Sequence, residues 1–405
     1  MKISFRLIIG VLILLALSGC QHGKLTADDR RECPYNGAID RASREHFDPE
    51  SAPRPSKSPI VKVIEFTEQG ELHDRCQWSD AIFEIRGGNQ RIAKDKKSKF
   101  VVIYVHGWKH NAEEGDSDLN NFTSWIKNIS DKGAENTDVV GIYVSWPGQS
   151  ISLPIFDNLT FWGRKGAADR VSIGGNFSKF LSAVENVRRQ RKNDDDFIVG
   201  IGHSFGARIL FSAASPIILH ELQTHHPGER FGIYKPFKGV LDFIILLNPA
   251  FDAARYTAFD STRRWQEKFH QRQQPISLSI ATENDYATRF AFPLGQLIGT
   301  RWHEREKITL GNYTNYTTHE IKISSEFEFS SGYEDNWYSH FCSNNVCLER
   351  TRADDRAASP FLVARTNSSI IDGHNGIWGE KIQSFIADFL RKIRQESRMV
   401  VSEQD

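Results

Sequence analysis

The sequence predicts an α/β fold with a mainly parallel central sheet and helices on both faces, and three observations carry that reading. Uninterrupted apolar, β-branched runs such as Phe100 to Val105 and Val139 to Ser145 suit strands buried on both sides. Segments between them repeat apolar residues at helical spacing, as crossovers between parallel strands require. The 405 residues are 39% hydrophobic and 25% charged, which is globular usage and excludes a wholly disordered, collagen-like or coiled-coil chain. One large domain is expected, since α/β folds often run past about 200 residues as one unit.

Taken in order, Ile60 to Phe66 and Ala81 to Arg86 read as antiparallel strands around a turn at Gly70. Phe100 to Val105 and Val139 to Ser145 follow as buried strands. Asn176 to Arg191 is a helix, with Phe177, Phe180, Leu181, Val184 and Val187 along one stripe. Phe197 to Gly202 is the next strand, followed by a helix from Phe205 to Ala214. Val240 to Leu247, Ile276 to Ala281 and Phe361 to Arg365 complete the strands. A closing helix runs from about Gly379 to Arg394, with Ile382, Phe385, Ile386, Phe389 and Leu390 on one face. Residues 289–360 break this rhythm. They are long and aromatic-rich, and read as an insertion before the last strand, with strands of its own over Glu320 to Phe329 and a place over the site as a cap.

Ahead of the domain, which is expected from residue 59 to 405, two segments read as address and tether. Met1 to Cys20 carries Lys2 and Arg6, then the apolar run Leu7 to Leu17, too short to span a bilayer and suited to a cleaved export signal. Its end, Leu17-Ser18-Gly19-Cys20, resembles the lipobox of bacterial lipoproteins. That resemblance implies removal of residues 1–19 and diacylglycerol on Cys20, so that acyl chains hold the protein on a membrane without spanning it. Gln21 follows the cysteine, and the absence of Asp there implies the outer membrane of a Gram-negative envelope. Residues 20–58, polar and broken by Pro49, Pro53 and Pro55, read as a flexible tether.

Charge and cysteine usage fit that compartment. The chain has 51 basic and 51 acidic residues; loss of the first nineteen, with two bases and no acid, leaves 49 against 51. No polyanion-binding surface follows from such a balance, so no nucleic-acid partner is expected. With Cys20 acylated, Cys33, Cys76, Cys342 and Cys347 remain, an even number for an oxidising space. Cys342 with Cys347 closes a short loop, leaving Cys33 with Cys76; free thiols are the other reading. The spacing does not suit zinc.

The chemistry centres on Gly202-His203-Ser204-Phe205-Gly206. G-x-S-x-G is short, but here it falls between an apolar strand and a helix, the strand-turn-helix setting that holds a serine in strained backbone with its hydroxyl exposed. Glycines are required because side chains beside the bend would strike the adjoining elements. Phe205 opens the helix, where the N–H groups have no carbonyl of their own helix to bond and point at a developing oxyanion. His106-Gly107-Trp108 stands directly after the strand Phe100 to Val105.

Over residues 60–394 this arrangement resembles the α/β-hydrolase superfamily, in particular its secreted serine esterase-like members. The resemblance implies Ser204 as nucleophile, the N–H groups of Trp108 and Phe205 as oxyanion donors, and a triad in the order nucleophile, acid, histidine. His374, after the last strand and flanked by Gly373 and Gly376, is the histidine; His319 and His340 lie in the insertion. For the acid, Asp285 after the fifth buried strand matches the family position, and Asp252 after the preceding strand is the alternative. Such a triad needs no metal and no cofactor.

Other signals carry less. Asp116-x-Asp118-x-Asn120 begins like a calcium loop but has Asn121 at the glycine position and Lys127 at the glutamate position. His225-His226 lacks ligand company, and Ser145-Trp146-Pro147-Gly148 is either a pocket wall or a turn. The expectation is thus a membrane-anchored serine hydrolase of carboxylic esters, its substrate a small-molecule ester or lipid. A serine peptidase or amidase on the same fold, and a non-catalytic envelope-binding lipoprotein, are the alternatives.

Overall fold

The structure, a computed structural model, describes residues 59–87, 97–133, 136–148, 161–225, 236–264, 269, 272–293, 303–326, 336–351 and 359–402. The expected signal and tether segments, with Cys20, lie outside these residues. In chain order the main elements are β1 (Ile60–Glu65), α1 (Arg75–Arg86), β2 (Ser98–Val105), α2 (Ser117–Lys132), β3 (Thr137–Ser145), α3 (Phe161–Ile173), α4 (Asn176–Arg191) and β4 (Phe197–His203). They continue with α5 (Phe205–His225), β5 (Phe243–Leu247), α6 (Thr257–Arg264), β6 (Ser277–Thr282), β7 (His319–Ile323), β8 (His340–Ser343), β9 (Val346–Arg350), β10 (Phe361–Thr366) and α7 (Glu380–Ser402).

The ten strands form one sheet in the order β1-β3-β2-β4-β5-β6-β10-β7-β9-β8, parallel from β1 to β7 and antiparallel at β9 and β8. With a sharp bend between β4 and α5, this is the α/β-hydrolase fold. The winding reverses at β2: the chain leaves it for β3 on one side and returns as β4 on the other. Loops leaving β2 and β4 therefore part around a crevice at the C-terminal ends of the strands, where open α/β sheets bind their ligands.

Alternation along the strands builds two cores. Val101, Ile103 and Val105 of β2 face the cluster that contains Phe177, Phe180, Ile209 and Leu210 of α4 and α5. Phe100, Val102 and Tyr104 face the other side, with Phe122 and Trp125 of α2 and Phe385 and Phe389 of α7. Every residue of β2 and β4 is buried, which is why both read as continuous apolar runs.

Three expectations are corrected. Ala81 to Arg86 is the end of helix α1, not a strand, and β1 pairs in parallel with β3 instead of forming a hairpin. Ala81, Ile82 and Ile85 share one buried helical face, with Trp78 packed beside them; Asp74 caps the start by accepting from the Cys76 N–H at 2.7 Å, and Gly87, at φ 111°, closes the end. Helix α5 runs beyond Ala214 through Pro216 to His225, because burial of Ile218 and Leu222 offsets the bond that a proline removes. Among the described residues, the strands of the insertion widen the sheet at the far side of β10 instead of capping the site. The aromatics Trp337 and Phe341 pack against Phe389 and Phe385 of α7.

The cysteines behave accordingly. Cys342 and Cys347 stand opposite one another across the β8–β9 hairpin and are joined in a disulfide. The turn between them is Asn344-Asn345, both at positive φ, the backbone that a tight two-residue hairpin demands. Cys76 is also disulfide-bonded, to a residue outside those described.

His319 is buried in β7 beside Arg350, and burial and that charge together push its pKa down to about 3. An imidazole whose folded pKa is depressed costs nothing above its unfolded value near 6.5. Between there and about 3 only the unfolded chain takes the proton, so stability falls as pH drops. Urea titrations across this window are expected to show a slope that His319→Gln makes shallower by up to about 1.4 kcal/mol per pH unit; equal slopes would contradict burial of a neutral ring.

Candidate active site

Ser204 sits at the bend between β4 and α5 with φ 55°, a left-handed conformation that costs a β-carbon-bearing residue about 1–3 kcal/mol. Neighbouring strands hold it there. The Ser204 N–H donates to the Leu247 carbonyl at 3.0 Å, and its own carbonyl accepts from Ala250 at 3.1 Å and Arg208 at 3.3 Å. Gly206 makes the bend possible: a β-carbon there would lie 2.0 Å from the Val105 carbonyl oxygen and 2.4 Å from that of His106. The first turn of α5 is thus pressed against the end of β2.

The loop that follows β10 brings in His374. Its Nδ1 is 2.7 Å from Asp285 Oδ2 and its Nε2 is 2.8 Å from Ser204 Oγ, across 170 residues of sequence. A carboxylate can only accept, so Nδ1 carries the proton and Nε2 receives the hydroxyl hydrogen of Ser204. Asp285 is fully buried at the end of β6. Its carboxylate also accepts from the Thr288 hydroxyl at 2.7 Å and the Thr288 N–H at 3.1 Å. Burial alone would raise its pKa; the hydrogen bonds from His374 and Thr288 and the His374 charge outweigh that and hold it below the ordinary carboxylate value.

Asp252, the alternative acid, is not part of this chain of bonds. It faces Arg255 at 3.4 Å and Arg208 at 3.7 Å, in a cluster where Asp169 takes both Arg208 and Arg255. Gly107 passes directly beside the bend: a β-carbon on it would lie 3.1 Å from Ser204 Cβ and 2.6 Å from His203 Nδ1. Trp108 follows directly after this contact, half-buried against the core, and Phe205, the first residue of α5, lies at the positive end of that helix. Trp146 is buried beneath this loop, stacked on His106, with its indole N–H donating to the His106 carbonyl at 2.9 Å. It is packing, not a pocket wall. Burial holds His106 neutral, its pKa lowered to about 4.

Sequence reasoning missed several groups. Asn248 and His203 both donate to the His374 carbonyl, at 2.9 and 3.0 Å. Asp118, buried at the start of α2, accepts from Trp378 Nε1 at 2.6 Å, Tyr104 at 3.1 Å and Tyr143 at 3.3 Å, which ties the chain after His374 to α2. Asp116 caps α2 by accepting from the N–H groups of Asp118 and Leu119. The one signal in the sequence was a polar residue, Asn248, ending an apolar run. Among the described residues no cluster of three metal-ligating side chains occurs, and no helix is long and apolar enough to cross a membrane.

No protein-family model matches the chain, and no curated protein matches it. Among solved structures it is similar to esterase B from Lactobacillus Rhamnosis, at 14% identity over 77% of this chain and 80% of that one, with a TM-score of 0.30. It is also similar to phospholipase PlaB from Legionella pneumophila in complex with thio-NAD, at 15% identity over 76% and 63% of the two chains and a TM-score of 0.30. An uncharacterized protein from Pseudomonas aeruginosa shows 7% identity over 79% and 49%, with a TM-score of 0.27. The fold assignment rests on strand order and the bend at Ser204.

Gly206→Ala is expected to destabilise the protein by about 3 kcal/mol or more, since its β-carbon meets backbone that cannot move without shifting β2. Equilibrium unfolding in urea reads this; a loss below 1 kcal/mol would show that the bend has room to relax.

Proposed function

We propose that the chain is a serine hydrolase that cleaves carboxylic esters through an acyl-enzyme, anchored to the bacterial envelope by lipid on Cys20. One observation carries the catalytic part: Ser204, His374 and Asp285 are joined by two hydrogen bonds of 2.8 and 2.7 Å at the C-terminal edge of the sheet. His374 takes the Ser204 proton as Oγ attacks the ester carbonyl, and Asp285 stabilises the imidazolium that forms. The N–H groups of Phe205 and Trp108 receive the oxyanion. Collapse of the tetrahedral intermediate expels the alcohol, which takes its proton from His374 Nε2. Water, activated by the same imidazole, then releases the acid and restores Ser204. Support for the anchor comes from the sequence alone, in the Leu17-Ser18-Gly19-Cys20 ending, and Gln21 after the cysteine favours the outer membrane of a Gram-negative cell.

A fluorophosphonate probe is expected to label Ser204, with the adduct located by peptide mass spectrometry, and labelling is expected to vanish in Ser204→Ala. Asp285→Asn is expected to lower kcat on short acyl esters about 10⁴-fold, the effect of losing the acid in such a triad, whereas Asp252→Asn keeps kcat within a few-fold. A folded protein that takes no probe overturns the reading, and hydrolysis of peptides or amides but not esters redirects it to an amidase.

The anchor has its own measurement. In a Gram-negative host the full chain is expected in the membrane fraction, labelled by radioactive palmitate. Cys20→Ser is expected to abolish the label, and a labelled Cys20→Ser protein would contradict acylation there.

A further inference from the structure

We infer that Asn248 and His203 are positioning residues that hold the backbone of His374, and so set the reach of its imidazole to Ser204. The inference rests on the serine hydrolase reading. His374 stands directly after Gly373, which has φ 70°, on a loop whose only intrinsic preference is to turn. Its carbonyl is gripped from two sides: Asn248 Nδ2 donates to it at 2.9 Å and also meets the Gly373 carbonyl at 3.3 Å, and His203 Nε2 donates to it at 3.0 Å.

Both grips are rooted in the sheet. Asn248 is fully buried at the end of β5, at φ 43°, a conformation that asparagine tolerates better than most residues. Its N–H donates to the Ile280 carbonyl at 2.8 Å, and its side-chain oxygen accepts from the Thr282 N–H at 3.0 Å, so the amide spans the ends of β5 and β6 before reaching the loop. His203 is the last residue of β4, next to Ser204 in sequence and buried. The same strand end therefore carries the hydroxyl on one residue and, on the one before it, the group that fixes the partner of that hydroxyl.

The chemistry of His203 is determined by its acceptor. A carbonyl oxygen cannot donate, so Nε2 must hold the proton, and Nδ1 is then a lone pair turned towards Gly107. Burial, and then the neighbouring His374 ring at 4.9 Å, hold the His203 pKa well below that of free imidazole. His203 thus stays neutral while His374 becomes cationic, and adds no second positive charge beside the imidazolium.

The test compares His203→Phe, which keeps a ring and loses the donor, with His203→Gln, whose amide places a donor near the position of Nε2. Asn248→Asp is the third variant, keeping the shape but turning the donor into an acceptor. His203→Phe and Asn248→Asp are expected to lower kcat ten- to a hundredfold with KM within twofold, the scale of loss from an ångström of misplacement. His203→Gln is expected to stay within about threefold of wild type. Proton NMR of the His374 Nδ1–H in its bond to Asp285 gives a second reading: the resonance is expected in wild type and His203→Gln, and broadened or lost in the other two.

Wild-type kcat in His203→Phe, or equal impairment of His203→Phe and His203→Gln, overturns the inference in favour of plain packing. If Asn248→Asp fails to fold, the His203 pair decides. If wild type takes no fluorophosphonate, the proposed function falls, while the resonance still reports whether the two residues hold the imidazole.

Discussion

The closeness of the first turn of α5 to the end of β2 is the constraint on which the site depends. A helix can leave a parallel strand at so sharp an angle only where nothing projects from the contact, and Gly206 leaves none against the Val105 and His106 carbonyls. That contact forces Ser204 into the left-handed region and fastens its backbone to β5 through Leu247 and Ala250. Strain at one residue is thereby carried by three strands and a helix, each stabilised by its own burial. The site is rigid because its cost is spread through the sheet, and a hydroxyl so held needs no further ordering when substrate arrives.

Several buried polar groups at this edge each answer a loop. Asp285 answers His374 and Thr288, Asn248 answers the Gly373 and His374 carbonyls, Thr282 answers the Ile371 carbonyl, and Asp118 answers Trp378. The loop after β10 has few apolar contacts to order it between Asp372 and Gly376, so hydrogen bonds from strand ends do this work. Burial of such groups is costly when they are left unpaired, which makes the loop position well defined once folded.

How much of this was legible in the sequence depended on the range of the interaction. Strands β2, β3 and β4 were readable because burial on both faces removes polar alternation, and helix α4 was read over Asn176 to Arg191 because its stripe is regular. Ala81 to Arg86 was misread because a short apolar segment fits either period when its cap, Asp74, lies several residues upstream. The bend at Ser204 was local and announced itself in five residues. Choosing Asp285 over Asp252 was not local, since both follow strands; in space the bond to His374 marks Asp285, while arginines surround Asp252. The partner of Asn248 and His203 was not legible for the same reason: it is a carbonyl, which every residue has.

The hairpin at the far edge of the sheet has a separate consequence. A terminal strand exposes unpaired backbone to any passing chain, and a one-residue slip there would turn its inner side chains outward. In β8 and β9 the covalent link between Cys342 and Cys347 locks the register, and Ser343 and Asn344 fasten the turn to Asp388 of α7. The pairing of these two strands is thus fixed by a covalent bond as well as by packing on α7, and it keeps its register even when the surrounding loops loosen.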